Sequence, residues 1–188
     1  PAASRAFARG LFHVQGLASH FAALCVGAQP GQKVADLCAA PGGKSLTLAE
    51  CMQNQGKLIS GEYVESRVPL LRKAFARCGV TCAEAVQNDA AQLRSDWGKF
   101  DRILCDVPCS GLGVIAKKPD IRYKDLDGIE NLLLSQQKIL QNGADLLAEN
   151  GRLVYSTCTV NRDENEEQVK TFLENNPRFH VAVPALQL

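Results

Sequence analysis

The stretch KVADLCAAPGGKS, residues 33–45, decides the fold of this chain. Its first six residues are mostly apolar and predict a buried strand over 33–38. Pro41, Gly42 and Gly43 end that strand, and the residues after them predict a helix over 44–53. A strand that passes through a glycine turn into a helix is the first half of a βαβ unit, so the rest of the chain should continue the alternation.

The alternation of strand and helix does continue along the chain. Apolar runs predict four more strands, over 57–61, 82–87, Phe100–Asp106 and 152–156. Helical spacing predicts three more helices, one over 68–79, a long one over 129–147 that ends before Asn150-Gly151, and a last one capped by Asn161. The pattern predicts an α/β fold with a doubly wound, mostly parallel, Rossmann-like sheet covered on both faces.

Composition limits the class of protein. With 188 residues, 46% hydrophobic and 22% charged, the chain has the composition of one globular domain. It contains neither a run of ~20 apolar residues nor a signal sequence, so we expect no membrane association and a cytoplasmic location. Eight cysteines occur without a C-x-x-C pair and far from the three histidines, so we expect neither a metal nor a disulfide framework. We also expect a monomer.

The predicted fold brings five loops together. In a doubly wound sheet, ligands bind beyond the carboxyl ends of the strands. The loops at those ends span residues 38–44, 62–67, 88–89, 106–111 and 157–161. We therefore expect the functional residues in these loops.

The loop after the first strand has the features of a cofactor-binding turn. Its residues are Cys38, Ala39, Ala40, Pro41, Gly42, Gly43 and Lys44. Small residues let backbone N–H groups approach a ligand, and the following helix N-terminus favours a carboxylate or phosphate. Glu62, about twenty residues later, is predicted to accept hydrogen bonds from a ribose, and Asp89 from an adenine amino group. Together these features predict S-adenosylmethionine as the cofactor.

A P-loop NTPase is the alternative for this loop. Gly43-Lys44-Ser45 resembles the end of G-x-x-x-x-G-K-[ST], and FDRILCD (100–106) resembles a strand that ends in a magnesium ligand. However, Cys38 stands where that motif needs its first glycine, and Pro41 lacks an amide that would bind phosphate. The residues therefore favour S-adenosylmethionine over a nucleoside triphosphate.

Two cysteines follow neighbouring strands of the predicted sheet. Cys109 lies in the segment DVPC (106–109), and Cys158 lies in the segment STC (156–158). Both are expected to face the cofactor crevice. A thiolate that adds to C6 of cytosine makes C5 a nucleophile for a methyl group, and Asp106 near N3 would assist as an acid. The strand positions leave open which thiol attacks.

Three segments carry a resemblance to a known family: VADLCAAPGGKS (34–45), FDRILCDVPCSGLGVIAKKPDIRYK (100–124) and LVYSTCTVNRDENEEQV (153–169). The chain resembles the Sun/RsmB family of S-adenosylmethionine-dependent RNA (cytosine-C5) methyltransferases. The resemblance implies the class I methyltransferase fold, with cofactor contacts from residues 38–44, Glu62, Asp89 and Asp106. It also implies that Cys158, in the T-C motif, is the nucleophile and that Cys109, in the P-C motif, assists product release.

The segment after the P-C motif implies the substrate. PDIRYK (119–124) is more similar to the branch of the family that modifies 16S ribosomal RNA than to the tRNA enzymes. The basic residues in and before it are then expected to contact that RNA, and they are Lys117, Lys118, Arg122 and Lys124. The target base has to leave its stack to reach Cys158.

The resemblance also implies how the chain is organised. Residues 1–32 are expected to form an N-terminal segment packed on a catalytic domain of residues 33–188. Full-length relatives carry a NusB-like RNA-binding domain and a last antiparallel strand, and we expect both to be missing here. The alternative to an active enzyme is an RNA-binding fragment with little activity, because the net charge is only +1 and the missing domain would supply most of the affinity.

Overall fold

The computed structural model describes residues 4–123 and 127–183. The strands are β1 (Lys33–Asp36), β2 (Lys57–Glu62), β3 (Ala83–Gln87), β4 (Phe100–Asp106) and β5 (Leu147–Ser156). The helices are α1 (Arg5–Ala8), α2 (Leu17–Cys25), α3 (Gly43–Cys51), α4 (Val68–Cys78), α5 (Ile129–Leu146) and α6 (Glu166–Asn175). The described strands form one sheet in the order β3-β2-β1-β4-β5, and all four pairings are parallel.

Alternate residues of the central strands point to opposite faces of the sheet. On one face, Ala35 of β1 and Ile103 of β4 belong to a buried cluster that includes side chains of α5. On the other face, Val34 and Leu104 pack with side chains of α3. Both faces are thus shielded from water, as a parallel sheet requires. The predicted doubly wound sheet is confirmed.

The strand order reverses at β1. This strand pairs with β2 on one side and with β4 on the other. The chain therefore moves outward to β3 in one direction and to β5 in the other. The carboxyl ends of β1 and β4 lie side by side at this switch point, which is where doubly wound sheets bind ligands.

The start of β5 differs from the prediction, which placed it at Arg152 with Leu147 on the preceding helix. β5 begins at Leu147, which pairs with Phe100, and regular pairing resumes at Arg152. Between them the register shifts, and Asn150 has a left-handed φ of 60°. Leu147 packs against the buried cluster that contains Phe100. Burial therefore draws Leu147 into the sheet, and the expected break becomes a bulge inside the strand.

β1 ends earlier than predicted, whereas β3 ends at its predicted last residue. β1 ends at Asp36, so Cys38 lies in the following loop and not in the strand. β3 ends at Gln87, so Asp89 lies two residues beyond the strand. Both residues still lie at the carboxyl edge of the sheet.

The last helix begins later than predicted. Asn161 accepts a hydrogen bond from Asp163 N, but it caps a short 3-10 turn, and α6 starts only at Glu166. β5 lies at the edge of the sheet, and no antiparallel strand occurs within residues 4–123 and 127–183. Over the same ranges, no helix has both the length and the apolar character to cross a membrane.

Candidate active site at the carboxyl edge of the sheet

The loop between β1 and α3 is shaped by its backbone. Ala39 N donates to Gly61 O over 2.8 Å, and Gly42 N donates to Ala39 O over 2.8 Å. Gly42 precedes α3 with φ 106°, a conformation that side chains disfavour. The first amides of a helix, here those of Gly43 and Lys44, have no acceptor within the helix. The loop therefore presents N–H groups that suit an anionic group of a ligand.

Glu62 ends β2 beside this loop. Its side chain is 6% exposed, and Oε1 accepts a hydrogen bond from Val64 N over 2.8 Å. Within the described residues it forms no ion pair. A Cβ at Gly61 would lie 3.2 Å from Leu37 O, so the absence of a side chain there lets β1 and β2 approach closely. Ribose hydroxyls would give this buried carboxylate donors that the protein does not provide.

Asp89 follows Asn88, the residue whose backbone bonds to Glu62. Asn88 N donates to Glu62 O over 2.9 Å, which holds the residues after β3 against the end of β2. Asp89 Oδ1 accepts a hydrogen bond from Ala91 N over 2.9 Å. The structure therefore brings Glu62 and Asp89 to the same crevice.

Asp36, at the end of β1, is fully buried beneath the loop. Oδ2 accepts a hydrogen bond from Ser45 Oγ over 2.7 Å, and Ser60 Oγ donates to Ser45 Oγ over 3.0 Å. Oδ1 has no partner among the described residues. Burial is the main cause that raises the pKa of Asp36 to about 7, and the nearby Asp106 carboxylate adds to it. Asp36 is thus partly protonated at neutral pH.

Asp106, at the end of β4, is held from two sides. Lys44 Nζ lies 2.6 Å from Oδ2, and Ser156 Oγ donates to Oδ1 over 2.6 Å. Because Lys44 belongs to α3 and Ser156 to β5, this carboxylate connects the cofactor loop to the second cysteine loop. Across the described ranges, no group of three His, Cys, Asp or Glu side chains is placed to bind a metal ion.

The two cysteine loops meet beside Asp106. Cys109 Sγ lies 3.1 Å from Cys158 Sγ, and Cys158 N donates to Cys109 Sγ over 3.2 Å. Cys158 is exposed, whereas Cys109 is partly buried. Gly113 N donates to Cys158 O over 3.0 Å, and a Cβ at Gly113 would lie only 2.9 Å from that oxygen. The close contact of the loops therefore requires glycine at position 113.

The two thiols differ in their acidity. The hydrogen bond from Cys109 is the main cause that lowers the pKa of Cys158 to about 6. Partial burial opposes this effect, whereas the charges of Lys44 and Lys118 also lower the pKa. The same hydrogen bond, and then desolvation, raises the pKa of Cys109. The directions of the two shifts favour Cys158 as the thiolate of the pair and Cys109 as its S–H donor.

A basic loop borders the thiol pair. Three of the predicted RNA contacts are exposed on it: Lys117, Lys118 and Arg122. Tyr123, next in the chain, is 84% exposed. Lys124, the fourth predicted contact, lies outside the described residues. Of these side chains, Lys118 lies near enough to Cys158 for its charge to lower the pKa of that thiol.

Gln15 is a residue of this region that the sequence patterns did not reveal. Its Oε1 accepts a hydrogen bond from Thr47 Oγ1 of α3 over 2.8 Å and lies 3.2 Å from His20 Nδ1. Its side-chain atoms lie 3.6 to 3.8 Å from the position of a Cβ at Gly43. A single glutamine before a helix has no spacing pattern that could have marked this contact with the cofactor loop.

Comparisons with known proteins identify relatives of the chain. Residues 23–186 match the family model of 16S rRNA methyltransferase RsmB/F. The probable ribosomal RNA small subunit methyltransferase B of Bacillus subtilis is 40% identical over 176 residues, which make up 92% of this chain and 39% of that protein. Ribosomal RNA small subunit methyltransferase F of Cronobacter sakazakii is 37% identical over 183 residues, 95% of this chain and 38% of that protein. The chain thus spans less than two fifths of the length of these curated relatives.

A solved structure has the same fold. The crystal structure of NSun6 from Pyrococcus horikoshii with SFG matches all of this chain and 48% of its own length, with a TM-score of 0.91 and 31% sequence identity. The match confirms the class I methyltransferase fold that the sequence implied.

Proposed function

The chain belongs to the RsmB/F family of 16S rRNA methyltransferases, and we propose that it transfers a methyl group from S-adenosylmethionine to C5 of a cytidine in 16S ribosomal RNA. The observation that supports this best is the thiol pair, with 3.1 Å between Cys109 Sγ and Cys158 Sγ. An exposed thiol whose pKa is lowered to about 6 is the nucleophile that attack on C6 of cytosine needs.

S-adenosylmethionine is the cofactor of this family, and the residues of the crevice fit it. The loop of residues 38–44 suits its carboxylate through the amides of Gly43 and Lys44, Glu62 suits the ribose hydroxyls, and Asp89 suits the adenine amino group. NSun6, a relative of this chain, was crystallised with SFG, an S-adenosylmethionine analogue. The cofactor would supply an electrophilic methyl group, and its sulfonium sulfur would keep the electron pair of the broken S–CH3 bond and leave as a neutral thioether.

Cys158 would act as the nucleophile. Its thiolate forms a bond to C6 of the cytosine, and the electron pair of the C5=C6 double bond makes C5 able to take up a methyl group. Asp106, which contacts Lys44 and Ser156, would act as the acid at N3: it would give N3 a proton as C6 is attacked and take that proton back when the adduct breaks down. The base has to be flipped out of its helix for this contact.

Cys109 would act in the last step. Once Cys158 is bonded to C6, it no longer takes part in the hydrogen bond that raises the pKa of Cys109. Cys109 can then ionise and remove the proton from C5. The electron pair of that C–H bond restores the C5=C6 double bond as the bond from Cys158 to C6 breaks, which releases the methylated base.

The RNA would lie along the basic loop. Its cationic side chains, Lys117, Lys118 and Arg122 together with Lys124, would bind phosphates beside the thiol pair. The N-terminal segment of residues 1–32 would complete the catalytic unit, since Gln15 contacts Thr47 of α3. For an enzyme of ribosomal RNA we further propose a cytoplasmic monomer.

A second proposal is an RNA-binding fragment with little turnover. The chain corresponds to only 39% of its Bacillus subtilis relative, and its net charge is +1. The affinity for RNA of such a short, nearly neutral chain is expected to be modest.

Methyl transfer to naked 16S RNA tests the first proposal against the second. We expect radiolabelled 5-methylcytidine with the wild-type chain, none with Cys158→Ala, and a covalent RNA adduct on denaturing gels with Cys109→Ala. Filter binding without transfer would support the second proposal. The opposite behaviour of the two variants would exchange the roles of the cysteines. In calorimetry, tight binding of ATP·Mg without a response to S-adenosylmethionine would contradict the assignment of S-adenosylmethionine as the cofactor.

A further inference from the structure

A buried carboxylate lies beneath the two cysteine loops. Glu164 belongs to the 3-10 turn Arg162–Glu164, and its exposed fraction is 0%. A carboxylate removed from water is costly unless hydrogen-bond donors surround it. Among the described residues it has no cation partner, so neutral donors have to hold its charge.

Four hydrogen bonds reach this carboxylate. Oε1 accepts from Ser110 Oγ over 2.5 Å and from Asn161 Nδ2 over 3.3 Å. Oε2 accepts from Ser110 N over 2.8 Å and from Gln136 Nε2 over 3.0 Å. Desolvation raises the pKa of Glu164, but the hydrogen bonds from Ser110, Gln136 and Asn161 outweigh it and lower the pKa overall. Glu164 is therefore ionised at neutral pH.

Ser110 connects the carboxylate to both cysteine loops. Its hydroxyl donates to Glu164, so it accepts the hydrogen bond that joins it to Thr159 Oγ1 over 2.7 Å. Ser110 follows Cys109 in the chain, and Thr159 follows Cys158. One hydroxyl thus holds the residues after the two cysteines together.

Gln136 holds the other side of the first cysteine loop. Its Nε2 donates both to Glu164 and to Pro108 O, the latter over 2.9 Å. Tyr155 OH donates to Glu164 O over 2.8 Å, which fixes the 3-10 turn against β5. The residues before and after Cys109 are therefore both tied to the carboxylate of Glu164.

We propose that Glu164 is a positioning residue for the methyl transfer proposed above: its ionised carboxylate holds the loop of Cys109 against the loop of Cys158 and so sets the contact between the two sulfur atoms. The inference rests on the proposed function for its role in the reaction. Glu164 bonds to neither sulfur, so its effect passes through Ser110 and Thr159. When the contact loosens, Cys158 loses the hydrogen bond that lowers its pKa, and Cys109 loses its position near the base.

The test compares Glu164→Gln with Glu166→Gln. Glutamine keeps the shape of the side chain but turns one acceptor oxygen into an NH2 group that faces the donors of Ser110 or Gln136. Glu166 is exposed in the first turn of α6, so the control changes the net charge equally without touching the loops. Iodoacetamide labelling of the Cys158 peptide is measured by mass spectrometry as a function of pH, without RNA or cofactor.

For the wild type and Glu166→Gln we expect a labelling midpoint near pH 6. For Glu164→Gln the midpoint should rise by about one pH unit or more. In methylation assays Glu164→Gln should lower kcat about 10- to 100-fold, with the KM for S-adenosylmethionine changed less than about twofold. An unchanged labelling midpoint in a Glu164→Gln protein with the wild-type circular dichroism spectrum would overturn the proposal.

Ser110→Ala provides a second variant if Glu164→Gln does not fold. It removes the hydroxyl between Glu164 and Thr159 but keeps the bond from Ser110 N, so we expect a smaller rise of the midpoint in the same direction. An unchanged midpoint there also counts against the proposal. Because labelling needs no methyl transfer, a chain that shows the shifted midpoint but never methylates 16S RNA contradicts the proposed function and still supports the positioning role.

Discussion

The two halves of the crevice are held together in different ways. The cofactor half comprises residues 38–44, Glu62 and Asp89. Backbone hydrogen bonds set the path of its loop between β1 and α3, such as the one from Ala39 N to Gly61 O over 2.8 Å. Its shape therefore depends on backbone conformation more than on particular side chains.

The thiol half comprises residues 106–111 and 157–161. Side chains hold it together, and Ser110, Thr159 and Glu164 form the central network. The two halves should therefore be sensitive to different kinds of substitution. Side-chain substitutions should damage the thiol half most, whereas backbone strain should damage the cofactor half most.

The largest expected effect is on methyl transfer in Cys158→Ala, which should leave cofactor binding intact. Cys158→Ala should lower methyl transfer by at least about 1,000-fold, because no thiolate remains to attack C6. Calorimetry should show an affinity for S-adenosylmethionine within about twofold of the wild type, since the side chains of the cofactor half do not change. Cys82→Ala, near the amino end of β3, is the control and should keep full activity. A large loss of cofactor affinity in Cys158→Ala would show that the halves are not independent.

A pair of glycine variants tests the comparison directly. In Gly113→Ala the new Cβ would lie 2.9 Å from Cys158 O, so the two cysteine loops must separate. We expect transfer about 10- to 100-fold slower with unchanged cofactor affinity. In Gly42→Ala the strain of φ 106° should cost roughly 1–3 kcal/mol and weaken cofactor binding. Single-turnover assays measure the rate of transfer, and calorimetry measures the affinity for S-adenosylmethionine. If both variants lose the same one of these two quantities, the proposed difference between the halves is wrong.

The pH dependence of labelling should sharpen the description of the thiol half. The pKa of Cys158 is lowered mainly by the hydrogen bond from Cys109, so thiolate is present above pH 6. Cys109→Ala should move the midpoint for Cys158 upward, toward the value near 8.5 of a free thiol, and labelling at pH 7 should become slower. Lys118→Gln should cause a smaller shift in the same direction. A midpoint that stays near pH 6 in Cys109→Ala would mean that the lysines dominate.

The last prediction concerns stability and not methyl transfer, and its subject is Asp36, a side chain buried under the cofactor half. Its pKa is raised to about 7 in the folded chain from an ordinary value of 3.8. Between these values the folded chain keeps a proton that the unfolded chain loses, so stability falls as pH rises from 4 to 7. Asp36→Asn should lose this dependence. Thermal unfolding of the wild type and of Asp36→Asn at several pH values measures how stability depends on pH. If stability depends on pH equally in the two proteins, the pKa of Asp36 is not raised.

The architecture of this chain could be predicted from the sequence because it depends on local patterns. Apolar runs and helical spacing determine strands and helices within a few residues of themselves. Their alternation leads to the doubly wound sheet, and the sheet brings the loops with Gly42, Glu62, Cys109 and Cys158 to one edge. Even so, the predicted start of β5 was wrong, because the burial of Leu147 depends on its contact with β4, a strand that is far away in the chain.

Only the tertiary structure decided how the residues at that edge act on one another. Cys109 and Cys158, whose sulfur atoms are in contact, are 49 residues apart in sequence. Ser110 and Glu164, which are hydrogen-bonded, are 54 residues apart. Apart from the T-C motif of the resembled family, no local pattern distinguishes Cys158 from the other thiols, and none distinguishes Glu164 from its acidic neighbours. Hydrogen bonding, burial and charge set a pKa through distances in space. Local patterns in the sequence therefore predicted which loops meet at this edge, and only the folded chain decided how close the two thiols lie and which side chains hold their loops together.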